Sequence, residues 1–461
     1  MTPNSNHPSK TSYMSRIMLR FFAEGRKNTP ILLWAALVGC LTGLIGAVFQ
    51  LALHKIAELK DLLMSAADAF VGLPVIISVA LSAVMVFLAF ILVRRIAPET
   101  GGSGVQEIEG ALDGVREARW KRVLPVKFFG GLLSLGSGMV MGREGPTIQM
   151  GGNIGKMISD LFKVRKDDTH TLIASGAGGG LSAAFNAPLA GILFVFEEMR
   201  TEFKYNFLSV QAVIVACAAA DIVLRIFIGQ EPDISMLVIP APPLKSLFLF
   251  VIFGFIFGIF GFLFNKVLVK TLNFFSNLNG WYFTLTGLFV GGFIGLLAWA
   301  FPFTVGGGYS VMPQAISGNI PVMIMLVLFI ARFGTTMLSY GSGAPGGIFA
   351  PMLALGTLFG MWFGHFAHFL LPELVVRPEI FAVAGMAALF CATVRAPLTG
   401  IVLTIEMTGN YFFILPLILT CMTATIVAQG LGGKPIYTVL LKRTLSLEKK
   451  GKTQTTEPAN E

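Results

Sequence analysis

The sequence has little charge. Asp, Glu, Lys and Arg make up 13% of its 461 residues, about half the roughly 25% of a soluble globular domain. That scarcity excludes an ordinary water-soluble domain. Histidine is scarcer still, at His7, His54, His170, His365 and His368. His365 and His368 are three apart, but no carboxylate stands near them to complete a metal site. A hydrolase built on Ser103 or Ser342, both set between glycines, would need a base to activate its nucleophile. No motif supplies one, so neither an enzyme nor a cofactor is expected. The four cysteines, Cys40, Cys217, Cys391 and Cys421, are scattered through apolar segments and read as small buried apolar residues. Basic residues lie in short flanks rather than on a domain, which argues against nucleic acid. The polar start precedes a long apolar segment and lacks the look of a cleavable signal peptide.

What the chain does have is apolar length. Hydrophobic residues are 54% of it and the mean hydropathy is +0.75. Residues 271–331 and 333–372 contain no Asp, Glu, Lys or Arg. One crossing needs about 20 apolar residues, so each stretch can hold two crossings or broken, re-entrant helices. The fold expected is an all-α polytopic membrane protein. The net charge of +9 collects at the ends, at Lys10, Arg16, Arg20, Arg26 and Lys27, and at Lys442, Arg443, Lys449, Lys450 and Lys452. The positive-inside rule then places both termini in the cytoplasm, with the chain in a bacterial inner membrane. Glycine is abundant, with 52 residues. Pairs four apart, such as Gly151/Gly155, Gly254/Gly258 and Gly360/Gly364, allow close helix approach in lipid.

Residues 1–29 read as a cytoplasmic segment with a short amphipathic helix over 12–24. A first membrane repeat spans 30–230, with apolar runs at 30–53, 69–93, 123–141, 172–196 and 208–224. A proline-rich connection over 231–246 leads to a second repeat at 247–441 and a polar cytoplasmic tail at 442–461. The repeat shows in three ordered matches. Pro98-Glu-Thr-Gly-Gly corresponds to Pro302-Phe-Thr-Val-Gly, 204 residues on; Pro146 of Gly142-Arg-Glu-Gly-Pro corresponds to Pro351 of Gly346-Gly-Ile-Phe-Ala-Pro, 205 on; and Asn186-Ala-Pro-Leu-Ala-Gly corresponds to Arg395-Ala-Pro-Leu-Thr-Gly, 209 on. Transporters built from repeats hold their substrate between them, at the ends of interrupted helices.

The charge in Gly142-Arg143-Glu144-Gly145-Pro146 stands out against its apolar surroundings. A charged side chain at membrane depth costs at least ~2.5 kcal/mol, so something stabilises it or uses it. Gly145 and Pro146 suit the first turn of a helix, and the free N–H groups of such a turn bind anions. Glu144 would then be a titratable anion beside an anion site. The pentapeptide alone equally allows a surface glutamate paired with Arg143.

Together, Gly102-Ser103-Gly104, Gly142 to Pro146, Gly346 to Pro351, and Tyr437 in Gly433-Lys-Pro-Ile-Tyr resemble the CLC family of chloride channels and chloride/proton antiporters. The similarity runs from about residue 30 to 441. It implies two inverted repeats of tilted, discontinuous helices, and a homodimer with one ion path per subunit, its contact formed by segments around 193–224 and 400–429. One departure is Gln106, where the family usually has proline. The short tail is expected to leave no room for the paired cytosolic regulatory domains of many relatives.

The resemblance also implies roles. Ser103 and Tyr437 would donate hydroxyls to a central chloride, although alone they could be a capping serine and an interfacial anchor. Ile348 and Phe349 would donate backbone N–H groups, and the backbone at Arg143 and Gly145 would form an outer anion site. Glu144 would be the gate and outer proton site, competing with chloride when ionised and swinging aside when protonated. Glu198 would be the inner proton site, whereas without the family a juxtamembrane pair with Arg200 or Lys204 fits equally. Glu197 lies beside it, and Glu406, 209 residues after Glu197, reads as structural. The function expected is chloride/proton antiport. A passive chloride channel of the same family is the alternative, and channel members generally lack a carboxylate at the Glu198 position.

Overall fold

Eight helices return, in order, as eight more. The computed structural model describes residues 10–67, 69–199, 206–234, 236, 240–278 and 281–456. The first set is α1 (Lys10–Ala67), α2 (Leu73–Arg95), α3 (Val105–Leu112), α4 (Trp120–Gly136), α5 (Glu144–Leu161), α6 (Lys166–Phe185), α7 (Pro188–Glu198) and α8 (Phe207–Ile228). The second is α9 (Leu247–Ser276), α10 (Trp281–Ala300), α11 (Val311–Ile316), α12 (Val322–Gly341), α13 (Phe349–Leu370), α14 (Glu379–Val394), α15 (Pro397–Thr408) and α16 (Ile414–Gly430). A last helix, α17 (Ile436–Thr456), follows. The described residues contain no strand, and seven of the helices are long and apolar enough to cross a membrane. The chain is an all-α polytopic membrane protein built from two repeats.

Equivalent helices make equivalent contacts. Helix α1 packs on α6 and α8 as α9 packs on α14 and α16, and α5 packs on α6 as α13 packs on α14. Small residues make these approaches possible. A Cβ on Gly151 or Gly155 would run into the backbone of Gly176 or Leu172 in α6. One on Gly356 or Gly360 would meet the backbone of Gly385 or Phe381 in α14. Lipid tails give apolar helices no reason to leave them, so close packing of this kind must supply the association.

The repeats are inverted, and the relation can be read at two places. Gly142 and Gly347, equivalent by the 205-residue offset, form an antiparallel bridge: the Gly142 N–H donates to the Gly347 carbonyl at 2.8 Å and the Gly347 N–H returns to Gly142 at 2.7 Å. A pair of equivalent residues bonded reciprocally lies on a local two-fold axis. The same reciprocity joins α7 and α15. Glu197, near the end of α7, accepts the N–H groups of Leu398 (3.0 Å) and Thr399 (2.6 Å) and the Thr399 hydroxyl (2.8 Å) at the start of α15. Glu406 in α15 accepts the N–H groups of Leu189 (3.1 Å) and Ala190 (2.8 Å) at the start of α7. Each carboxylate satisfies orphan donors at a positive helix end.

Two buried cations, again 205 residues apart, pin the broken segments. Lys127 in α4 donates to the carbonyls of Thr100 (2.9 Å) and Gly102 (2.7 Å). Arg332 in α12 donates to those of Phe303 and Val305 (2.8 Å each) and Gly306 (2.6 Å). Irregular backbone survives at membrane depth only where something inside the protein satisfies it.

Two segments differ from expectation. The amphipathic helix at 12–24 and the first apolar run are one helix, α1, which continues through Pro30 to Ala67. Helix α4 ends at Gly136 rather than reaching residue 141, because Gly138 turns the chain at φ +98° and frees 139–143 to reach the bridge. Tail residues 457–461 and the first nine residues lie outside the described chain.

Candidate ion pathway

Ser103 sits on a short link between a 3₁₀ turn, Pro98–Thr100, and α3. Gly102 (φ +64°) and Gly104 (φ +85°) take left-handed conformations on either side of it, which a side chain would resist. Its peptide is held at both ends. The Gly102 carbonyl accepts from Lys127 and from the Gly346 N–H (3.0 Å), while the Ser103 N–H donates to the Tyr340 hydroxyl at 3.3 Å. Helix α3 starts at Val105, so Gln106 occupies its second position. A proline there would cost no intrahelical bond; glutamine keeps an N–H at the helix start.

The Ser103 hydroxyl is buried and has no hydrogen-bond partner among the described residues. The same holds for the Tyr437 hydroxyl at the start of α17, and the two lie within reach of one another. Buried hydroxyls ordinarily find partners. Two left open together suit an acceptor such as a halide. Next to Tyr437 stands Phe349, ring centroids 5.8 Å apart, on the first residue of α13. Ile348 precedes it, and both side chains are buried in the core. Their N–H groups have no intrahelical acceptor at this position, so α13 offers donors through apolar residues.

Glu144 opens α5 and is wholly buried. Its carboxylate folds back over Gly142 and Gly347, where a Cβ on Gly347 would stand 3.0 Å from Oε2. The carboxylate therefore lies at the two-fold bridge and faces the Ala350 amide in the first turn of α13. Oε1 accepts a hydrogen bond from Tyr309, and Oε2 has no partner among the described residues. Gly145 brings α5 close to Ser103: a Cβ there would sit 2.6 Å from the Ser103 hydroxyl. The Arg143 side chain does not pair with Glu144. It reaches Asp233 (2.7 Å) and the Ala184 carbonyl (2.9 Å), with its guanidinium 4.3 Å from the Tyr309 ring centroid.

Glu198 ends α7 and is half-buried. The alternative partners Arg200 and Lys204 lie outside the described residues. The structure thus gathers Ser103, Glu144, Gly145, Ile348, Phe349 and Tyr437 around the meeting helix ends, while Glu198 lies at the end of α7. Below Ser103 a cavity of about 970 Å³ reaches Gly101, Gly102 and Tyr340 and is lined by Arg94, Arg116, Arg119, Arg122 and Arg443. Glu107 holds Arg116 (2.7 Å) and Glu99 holds Arg122 (2.7 Å). Glu117 and Glu448 line it as well, so the five arginines exceed the four carboxylates by one, a slight positive bias that favours anions.

Sequence reasoning missed Lys127, Arg332, Tyr309 and Tyr340. Arg332 had a signal, as the lone charge between two long uncharged stretches. Lys127 follows from it by the repeat offset. The tyrosines had none, since neither lies in a recognised motif.

The family model described as voltage gated chloride channel matches residues 85–429. The H(+)/Cl(-) exchange transporter ClcA of Vibrio parahaemolyticus is 52% identical over 435 residues, covering 93% of each chain. That of Salmonella arizonae is 48% identical over 457 residues, covering 97% of this chain and 96% of its own. A crystal structure of a slow cyanobacterial Cl-/H+ antiporter is similar with a TM-score of 0.88 at 44% identity, over 90% of this chain and 98% of that one. A eukaryotic CLC transporter shares the fold, with a TM-score of 0.76 at 22% identity, over 89% of this chain and 73% of that one.

Proposed function

Because this chain belongs to the voltage gated chloride channel family, we propose that it is a secondary-active antiporter exchanging chloride for protons across a bacterial inner membrane. The observation that carries this reading is the buried Glu144 carboxylate, lying between the starts of α5 and α13 beside the open hydroxyls of Ser103 and Tyr437. The relatives from Vibrio parahaemolyticus and Salmonella arizonae are exchange transporters at about half identity over nearly the whole chain.

In the mechanism, chloride collects in the arginine-lined mouth and passes to the Ser103 and Tyr437 hydroxyls and the Ile348 and Phe349 N–H groups. No full positive charge meets it there, which keeps binding weak enough for release. The next site outward, formed by backbone at Arg143, Gly145 and the α13 start, is taken by ionised Glu144. Protonation removes the attraction between the carboxylate and those N–H groups; the side chain leaves, and chloride takes its place. One group thereby serves as anion barrier and outer proton carrier. Glu198, off the chloride path and half-buried, exchanges protons with the cytoplasm. Its neighbour Glu197 is committed to capping α15, which leaves Glu198 as the member of the pair that titrates in transport.

Both termini lie in the cytoplasm in this reading, since the arginine-lined mouth opens on the side that carries Arg94, Arg116 and Arg443. The molecule works as a homodimer with one path per subunit. Exposed Ile222, Ile226, Ile418 and Ile426 on α8 and α16 supply apolar faces for that contact. The experiment that tests the gate is Glu144→Gln, with chloride and proton fluxes followed together in proteoliposomes. Chloride should move without protons and lose its strong pH dependence. Proton pumping at the wild-type rate would refute the assignment.

A further inference from the structure

One hydroxyl holds one oxygen of the gate. Tyr309 follows Gly306-Gly307-Gly308, a turn in which Gly306 (φ +71°) and Gly308 (φ +107°) are left-handed. The turn has no slack. The Gly306 N–H donates to the Gly138 carbonyl at 2.8 Å, and Arg332 holds the carbonyls of Val305 and Gly306. The ring that follows is covered by the Arg143 guanidinium, 4.3 Å from its centroid. Arg143 is itself fixed by Asp233 at 2.7 Å and the Ala184 carbonyl at 2.9 Å. A ring clamped in this way presents its hydroxyl at a set point, and that hydroxyl donates to Glu144 Oε1. The other carboxylate oxygen has no hydrogen-bond partner among the described residues.

We infer that Tyr309 is a positioning residue for the gate: its hydroxyl latches the Glu144 carboxylate where that carboxylate excludes chloride, and the Asp233–Arg143 pair holds the latch in place. This rests on the reading of Glu144 as the gate. A phenol O–H is a stronger partner for an ionised carboxylate than for a protonated one. The latch therefore favours the closed, ionised form and sets how readily chloride or a proton displaces it. The charged and titratable groups facing Glu144 are Arg143 beside it in the chain, Tyr309 from the turn before α11, Asp233 from the connecting loop through Arg143, and Tyr437 from α17. Among the described residues Tyr309 alone bonds the carboxylate through a side chain.

The test is Tyr309→Phe, which keeps the ring under Arg143 and removes only the hydroxyl. The full chain is compared with and without Glu144→Gln, using calorimetric chloride binding near neutral pH and chloride efflux from vesicles across pH. A hydrogen bond to a charged group is worth enough that chloride should bind on the order of tenfold tighter without it. The pH at which efflux falls to half its acid value should rise by about one unit. In the Glu144→Gln background, where efflux has lost its strong pH dependence, Tyr309→Phe should leave chloride affinity and the flat efflux profile unchanged. Equal effects in both backgrounds would make Tyr309 a chloride ligand and overturn the latch; so would no effect in the wild-type background. If Glu144→Gln alone leaves the pH dependence of efflux intact, the gate reading itself is wrong and the latch goes with it.

Discussion

Lys127 and Arg332 occupy equivalent places in the two repeats, yet replacing each by methionine should not cost the same. The difference follows from the carbonyls left behind. In Lys127→Met the Gly102 carbonyl keeps the Gly346 N–H at 3.0 Å, so only the Thr100 carbonyl loses its partner. One buried unsatisfied group costs about 1–3 kcal/mol. In Arg332→Met the carbonyls of Phe303, Val305 and Gly306 lose their donor together, and no other donor reaches them among the described residues. Three such groups cost about 3–9 kcal/mol. Both variants are relieved of burying a cation, a gain of several kcal/mol that largely cancels in the comparison. An ammonium is the more strongly hydrated of the two, so the relief is larger for Lys127→Met and widens the gap. Arg332→Met should therefore be the less stable by about 2–6 kcal/mol. Thermal unfolding midpoints of the two purified variants in detergent give the order. Equal midpoints, or a lower one for Lys127→Met, would refute the assignment of both cations to backbone satisfaction.

Glu198→Gln should abolish proton transport while chloride flux and chloride binding persist, read from paired fluxes and calorimetry; retained coupling would exclude Glu198 as the inner proton site. Glu197→Gln should leave the flux ratio unchanged and instead lower the unfolding midpoint, because the amide retains one acceptor oxygen and loses the charge at the α15 start, a loss of about 1–2 kcal/mol.

Much of the architecture is legible in the chain because the repeat is written in motifs whose residue types have few uses. Broken helices need glycine and proline at their joints, so Gly142 to Pro146 and Gly346 to Pro351 mark helix starts by residue type alone. The inversion is not legible. It depends on how Gly142 meets Gly347 and how Glu197 meets the start of α15, contacts between residues some two hundred apart in the chain. The same reason hides the tyrosines. Tyr309 and Glu144 are 165 residues apart, and nothing local to Tyr309 says that its hydroxyl finds a carboxylate. The continuity of α1 through Pro30 is hidden in the sequence because proline, which usually ends a helix, is here carried inside one. Gln106, a departure from the family pattern, is compatible with the helix start because the second position of a helix needs no particular backbone bond.

In antiport, chloride and protons move in opposite directions along paths that share Glu144. The most direct test uses the unmodified chain in proteoliposomes with a steep chloride gradient, no initial proton gradient, and the voltage clamped by a potassium ionophore. Antiport predicts that chloride running down its gradient drives protons the other way, building a pH difference that collapses when a protonophore is added. Chloride flux with no proton displacement would contradict the account and make the chain a passive chloride channel.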